Sequence, residues 1–303
     1  MSTSNATFCN NVNILGNTTI GCNVNINSNL FVYGNALLSN SLNSYGPSTF
    51  WNNLTTNGVV TINNNATFNN TLVVYGSVVF WSNLNTQGSF IASSNATFCN
   101  GINSLGTSTF NNINTYGLTV NSNVTFCNTI NAYGNTTFWN NTITNGSFIA
   151  SSNSTFCNQF LAIGPATFKN NLISQGQLVA YSNVTLCNGL DVFGLTNLHN
   201  NLNVLGNTIY SSNVTLCNTL NSIGNAIFQN QLTTNGSFVA SSNSTFCNTV
   251  SFLGNTVFWS NVIINSPIYT NDVLTLCNMA SIGFTCQNYF FYLKFSCVRT
   301  FCS

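Results

Sequence analysis

Cys187, Asp191 and His199 fall close together and supply a thiol, a carboxylate and the only histidine of the chain. These are the residue types of a nucleophile, an orienting acid and a general base. Yet the slot of His199 holds Trp139, Lys169, Gln229 and Trp259 at 30-residue intervals elsewhere. A slot that accepts such unlike side chains behaves as a variable surface position, and catalysis needs convergent groups around a pocket. No catalytic residue is assigned on these grounds. Twelve cysteines invite a metal or disulfide reading. Cys99, Cys127, Cys157, Cys187, Cys217, Cys247 and Cys277 recur about once per 30 residues, which is not the close pairing of a zinc cage, so no metal site is assigned. A repeated cysteine reads more simply as a small, weakly polar packing residue. Cys286, Cys297 and Cys302 are the better disulfide candidates, should the protein reach an oxidising compartment. With no carboxylate pair, phosphate-binding glycine loop or metal-ligand helix motif, no cofactor is expected and the chain is read as a non-enzyme.

What must position these side chains is a six-residue rhythm that runs from Ala6 to about Thr285, as in ATFCNN, VNILGN and VSFLGN. The first and third residues of each hexad are the dependable ones, as in Ala166-Thr167-Phe168 and Leu202-Asn203-Val204. Residues two apart share one face of a strand, so each hexad supplies a very short strand with two inward side chains. Positions five and six are mostly Asn, Gly or Ser, as at Gly16-Asn17 and Gly206-Asn207, residues that tolerate left-handed backbone and turn the chain. Period six with so many Asn, Gly, Thr and Ser residues fits no helix. The expectation is an all-β chain, a single-chain β-solenoid. Between Phe110 and Phe126 the phase slips by two residues, where INTYG and a shortened neighbour replace full hexads.

The small-x-large-x-x-x pattern, clearest in Thr18-Thr19-Ile20-Gly21-Cys22-Asn23, resembles the hexapeptide repeat of left-handed β-helices, in which three hexads close a triangular coil. That resemblance implies 18-residue coils and, in acyltransferase members, a histidine at a subunit cleft, for which His199 is the sole candidate. Five hexads also make a longer 30-residue period. A 30-residue coil would stack Cys127, Cys157, Cys187, Cys217, Cys247 and Cys277 above one another, about 4.8 Å apart, whereas an 18-residue coil would wind them around the faces. An intertwined homotrimer with a shared triangular core is a third geometry. Residues 1–5 form a lead-in, 6–285 the solenoid, and 286–303, rich in Cys and aromatics, an atypical cap or docking segment.

Hexad position four carries Trp51, Trp81, Trp139, Trp259, Tyr45, Tyr75 and Tyr133. Either these rings turn inward at the corners, or they face out as apolar stripes of the kind that mark association surfaces. Threonines at position two, among them Thr67, Thr125, Thr185 and Thr245, form an outward array similar to ice-binding faces. Charged residues are 2% of the chain, too few to neutralise nucleic-acid phosphates. No stretch is long and apolar enough to span a bilayer, and the start lacks a signal-peptide pattern.

The Asn-rich texture, as in Leu202-Asn203-Val204-Leu205-Gly206-Asn207 and Gly134-Asn135-Thr136-Thr137-Phe138, resembles the repeat regions of tail-fibre-like and surface-fibre proteins of large DNA viruses and phages. The resemblance implies a structural rod in a virion fibre, filament or surface layer, built by self-association and located on a virion or an extracellular surface, with a cytoplasmic location as the alternative. The other reading is a binding module, an adhesin rod that meets glycans or another surface partner, or an ice-binding protein.

Overall fold

The computed structural model describes residues 5–266, 268–272, 274–277, 280–282 and 293–295. The chain divides into two compact units, residues 1–153 and 154–303. Both are built from one motif, a three-residue strand and a three-residue corner. No helix occurs among the described residues.

Outside one shortened turn, strands along the main ladder pair in parallel with those 18 residues on. In the first unit Ala6–Phe8, Val12–Ile14 and Thr18–Ile20 meet Val24–Ile26, Leu30–Val32 and Ala36–Leu38. In the second, Ser154–Phe156, Phe160–Ala162 and Ala166–Phe168 meet Leu172–Ser174, Leu178–Ala180 and Val184–Leu186. Three hexads therefore close one turn of a single-chain β-solenoid. A 30-residue turn is excluded by register, since Val184 lies between Ala166 and Leu202. The ladder is also formed within one chain, so the intertwined trimer is not needed to close it.

First and third hexad positions face the core, and strand after strand alternates buried, half-exposed, buried. Stacking identical turns superimposes like residues, which lets aromatic rings pile along the interior. Phe50 lies on Phe68 with ring centroids 4.8 Å apart, and Tyr210, Phe228 and Phe246 continue one another at 5.0 and 5.1 Å. Such offset stacks add to the hydrophobic burial that drives the fold. Several Ser and Thr residues at the third position donate their buried hydroxyl to the carbonyl of a glycine two residues on, as in Thr86 to Gly88 at 2.9 Å and Ser174 to Gly176 at 3.1 Å.

The corners explain the abundance of asparagine. A corner N–H without a strand partner would be an orphan donor, and the Asn at hexad position six supplies the acceptor from the preceding turn. Asn17 Oδ1 accepts from the Asn35 N–H at 2.9 Å, and Asn207 Oδ1 from the Asn225 N–H at 3.0 Å. One position earlier, amide N–H groups serve corner carbonyls, as Asn52 does for Tyr33 and Asn230 for Ser211. Glycine is required for a different reason than the left-handed backbone expected from sequence. No described glycine has φ in that region; instead a Cβ at Gly106 would lie 2.3 Å from the Gly88 carbonyl oxygen, and one at Gly224 2.3 Å from Gly206.

The phase slip is one shortened turn. Phe90 pairs with Ser108 at the usual 18 residues, Ala96 with Ile113 at 17, and Ile102 with Leu118 at 16. One residue is lost at each of two corners, and the 18-residue register returns at Leu118 with Thr136. Beyond the main ladder, the strand Leu293–Phe295 pairs with Leu274–Leu276. The rest of the 286–303 segment, with Cys286, Cys297 and Cys302, lies outside the described residues.

Candidate association surface

Cys187, Asp191 and His199 do not converge. Cys187 follows the strand Val184–Leu186 and His199 the strand Thr196–Leu198, which belong to different faces of the second unit. Asp191 sits mid-strand between Ile173 and Ile209. His199 is held instead by its own corner column. It stacks on Tyr181 with centroids 4.5 Å apart and planes 2° from parallel, and its Nδ1 lies 3.8 Å from the Cys217 sulfur.

The 18-residue register also separates the cysteines. Within the second unit, Cys157 and Cys247 share a face but lie five turns apart, as do Cys187 and Cys277. Cys217 takes the third face. In the first unit Cys99 and Cys127 likewise follow strands on different faces. The stacked cysteine ladder of a 30-residue coil is therefore absent, and no disulfide joins one described cysteine to another. Partial burial pushes the Cys157 thiol up from its ordinary range. Among the described residues no three His, Cys, Asp or Glu side chains come together as a metal set.

Each three-residue strand turns only its middle side chain outward, so a face shows one outward residue per turn. Thr185 stands between Thr167 and Asn203 and Thr245 between Ile227 and Ile263. The threonines thus make broken single files, without the second outward position that would widen them into a plane.

Hexad position four gives the surface its character. Trp51, Trp81, Trp139, Trp259, Tyr45, Tyr75 and Tyr133 are 51–59% exposed, so they stand outward at the corners. The geometry follows from the ladder: the N–H of the position-four residue donates to a position-three carbonyl of the preceding turn, as Tyr45 does to Ile26 and Trp81 to Ile62. This fixes the Cα, and the side chain must leave the corner. Aromatic residues on adjacent turns then cover one another, as Tyr33 with Trp51 at 6.0 Å and Tyr116 with Tyr133 at 5.3 Å. Tyr116 had no place in the hexad reading because its own hexad is the shortened one. Counting by turns of the ladder instead of by six puts it in line. Leu205 and Ile223 extend the same position as aliphatic neighbours in the second unit.

No family model, curated protein or solved structure matches the chain. No helix among the described residues is long and apolar enough to cross a membrane.

Proposed function

We propose that the chain is a non-enzymatic structural protein, a repeat element of a virion fibre, filament or surface layer, which associates with further copies of itself along its corner columns. One observation carries this reading. Large apolar side chains stand outward at the corners, among them Trp51, Trp81, Trp139 and Trp259, on a chain with only 2% charged residues. Apolar side chains exposed to water raise the free energy, which falls when association covers them, and a surface with so little charge offers like copies little repulsion. The backbone supports the role: a ladder in which every turn satisfies the next resists local opening.

Sedimentation over a range of concentrations, with images of the particles, tests the proposal. Oligomers or filaments that grow with concentration are expected; a protein that stays monomeric throughout would overturn it. Loss of an acyl-transfer activity in His199→Ala would argue for the enzyme alternative instead. A second reading, recognition of a neutral glycan, is favoured by exposed rings beside asparagine amides, as at Trp139 and Asn140.

A further inference from the structure

The first unit carries no charged side chain: Lys169, Asp191, Asp272, Lys294 and Arg299 all lie beyond it. Along one of its corners the strand ends Phe8, Ile26, Ser44, Ile62, Phe80, Phe98, Thr115 and Ala132 follow one another in register. The residues just after them form the first eight levels of a column whose ninth, Ser151, follows Ala150. The small members are Cys9, Asn27, Asn63 and Cys99, at levels one, two, four and six. The large ones are Tyr45, Trp81, Tyr116 and Tyr133, at levels three, five, seven and eight, all more than half exposed.

This order has a property that neither the hexad nor the composition implies. Turned about the middle of its first eight levels, it places a large residue opposite a small one at each of them, and Ser151 overhangs. Cys9 meets Tyr133, Asn27 meets Tyr116, Tyr45 meets Cys99 and Asn63 meets Trp81, and the remaining levels repeat these pairs. Reversal is what a two-fold axis across the column does, and a self-complementary patch is what an isologous interface requires.

The slots have the right depth. Tyr45 and Trp81 are two turns apart, about 9.6 Å at ~4.8 Å per strand. Rings at this corner position come into contact when adjacent, as Tyr116 and Tyr133 do with centroids 5.3 Å apart and planes tilted by 34°. A ring entering midway between Tyr45 and Trp81 would lie ~4.8 Å from each, inside the range of stacked aromatic pairs. Asn63, which floors that slot, is exposed; its backbone N–H donates to the Ser44 carbonyl, and its side-chain amide has no hydrogen-bond partner among the described residues.

We infer that this column is the two-fold interface of a homodimer, in which the rings of Tyr45, Trp81 and Tyr116 enter the slots at Cys99, Asn63 and Asn27 of the second copy. The inference rests on the self-association reading above and adds its partner, orientation and register. The axis passes between the levels of Asn63 and Trp81, so the two copies of Asn63 lie about one turn apart.

Two variants test it against the unmodified protein. Asn63→Trp fills the central slot with a residue that the same corner position accepts at Trp51 and Trp81, so the fold is expected to persist, which far-UV dichroism checks. It makes the surface more apolar, yet the dimer dissociation constant should rise at least about tenfold, the equivalent of ~1.4 kcal/mol. Asn63→Cys keeps the slot open, and a short bis-maleimide should link residue 63 to residue 63 of the second copy, as peptide mapping would read. Self-association without that link, or tightened by Asn63→Trp, would sink the zipper and leave the general reading standing. A protein monomeric at every concentration overturns both, and rings then protected by a soluble neutral oligosaccharide would assign the column to glycan.

Discussion

Tyr210 lies flat against Phe228 in the core of the second unit, 5.0 Å between ring centroids and 11° between planes, and its hydroxyl has no hydrogen-bond partner. It occupies a place that phenylalanine fills in the turns above, at Phe228 and Phe246. An unsatisfied buried hydroxyl costs about 1–3 kcal/mol. Tyr210→Phe should therefore stabilise the second unit by roughly 1 kcal/mol in thermal or denaturant unfolding, and a loss of stability would mean that the hydroxyl has found a partner.

The same burial raises the Tyr210 phenol above its ordinary value. The unfolded chain then releases this proton at lower pH than the folded chain does. Stability from the neutral phenol is complete below the ordinary tyrosine value of about 10 and declines above it, by at most ~1.4 kcal/mol per pH unit. Melting curves at pH 8 and pH 11 should diverge less in Tyr210→Phe than in the unmodified protein.

Gly106 and Gly16 separate the two reasons for a corner glycine. A Cβ at Gly106 collides with the backbone of Gly88, whereas one at Gly16 meets nothing within 4 Å. Gly106→Ala should cost about 1–3 kcal/mol as an overpacked site, and Gly16→Ala should stay within about 0.5 kcal/mol. Equal effects in equilibrium unfolding would show that backbone freedom, not close approach, is what these corners need.

The fold was largely legible because inward and outward positions alternate within each hexad: Ala166 and Phe168 are buried, and Thr167 between them is half exposed. Coil length was not, since the 30-residue recurrence of Cys157, Cys187 and Cys217 reflects how the sequence repeats, while the turn reflects how many corners close a core. Tyr116 was hidden for a related reason. A deletion at a corner shifts the hexad count but leaves the spatial column intact. The stacking of Tyr181 on His199 joins residues 18 apart, a separation with no meaning until the register is known.

Asn207 tests the corner amide ladder. Its Oδ1 accepts the Asn225 N–H at 3.0 Å, an acceptor role that a carboxylate oxygen can also fill. Asn207→Ala should cost about 1 kcal/mol and speed hydrogen exchange at the Asn225 amide. Asn207→Asp should keep that amide protected. If alanine and aspartate behave alike, asparagine serves the corner through turn propensity and the acceptor has little weight.

Phe8 and Phe68 share a hexad position with opposite surroundings. Phe68 is fully buried, stacked on Phe50 and edge-on to Phe80. Phe8 is 41% exposed and lines an apolar cavity of about 270 Å³ with Ile14, Ile20 and Ile26. Removing a packed ring forfeits both its transfer free energy and the contacts around the void it leaves, about 3–5 kcal/mol for phenylalanine to alanine. Phe68→Ala should reach that range, because the turns on either side are pinned by their own hydrogen bonds and cannot collapse into the gap. Phe8→Ala borders space that is already open and adds little new void, so it should cost less than half as much. Comparable losses in the two variants, measured by denaturant unfolding, would show that the cavity at Phe8 is covered in solution, and would direct attention to what covers it.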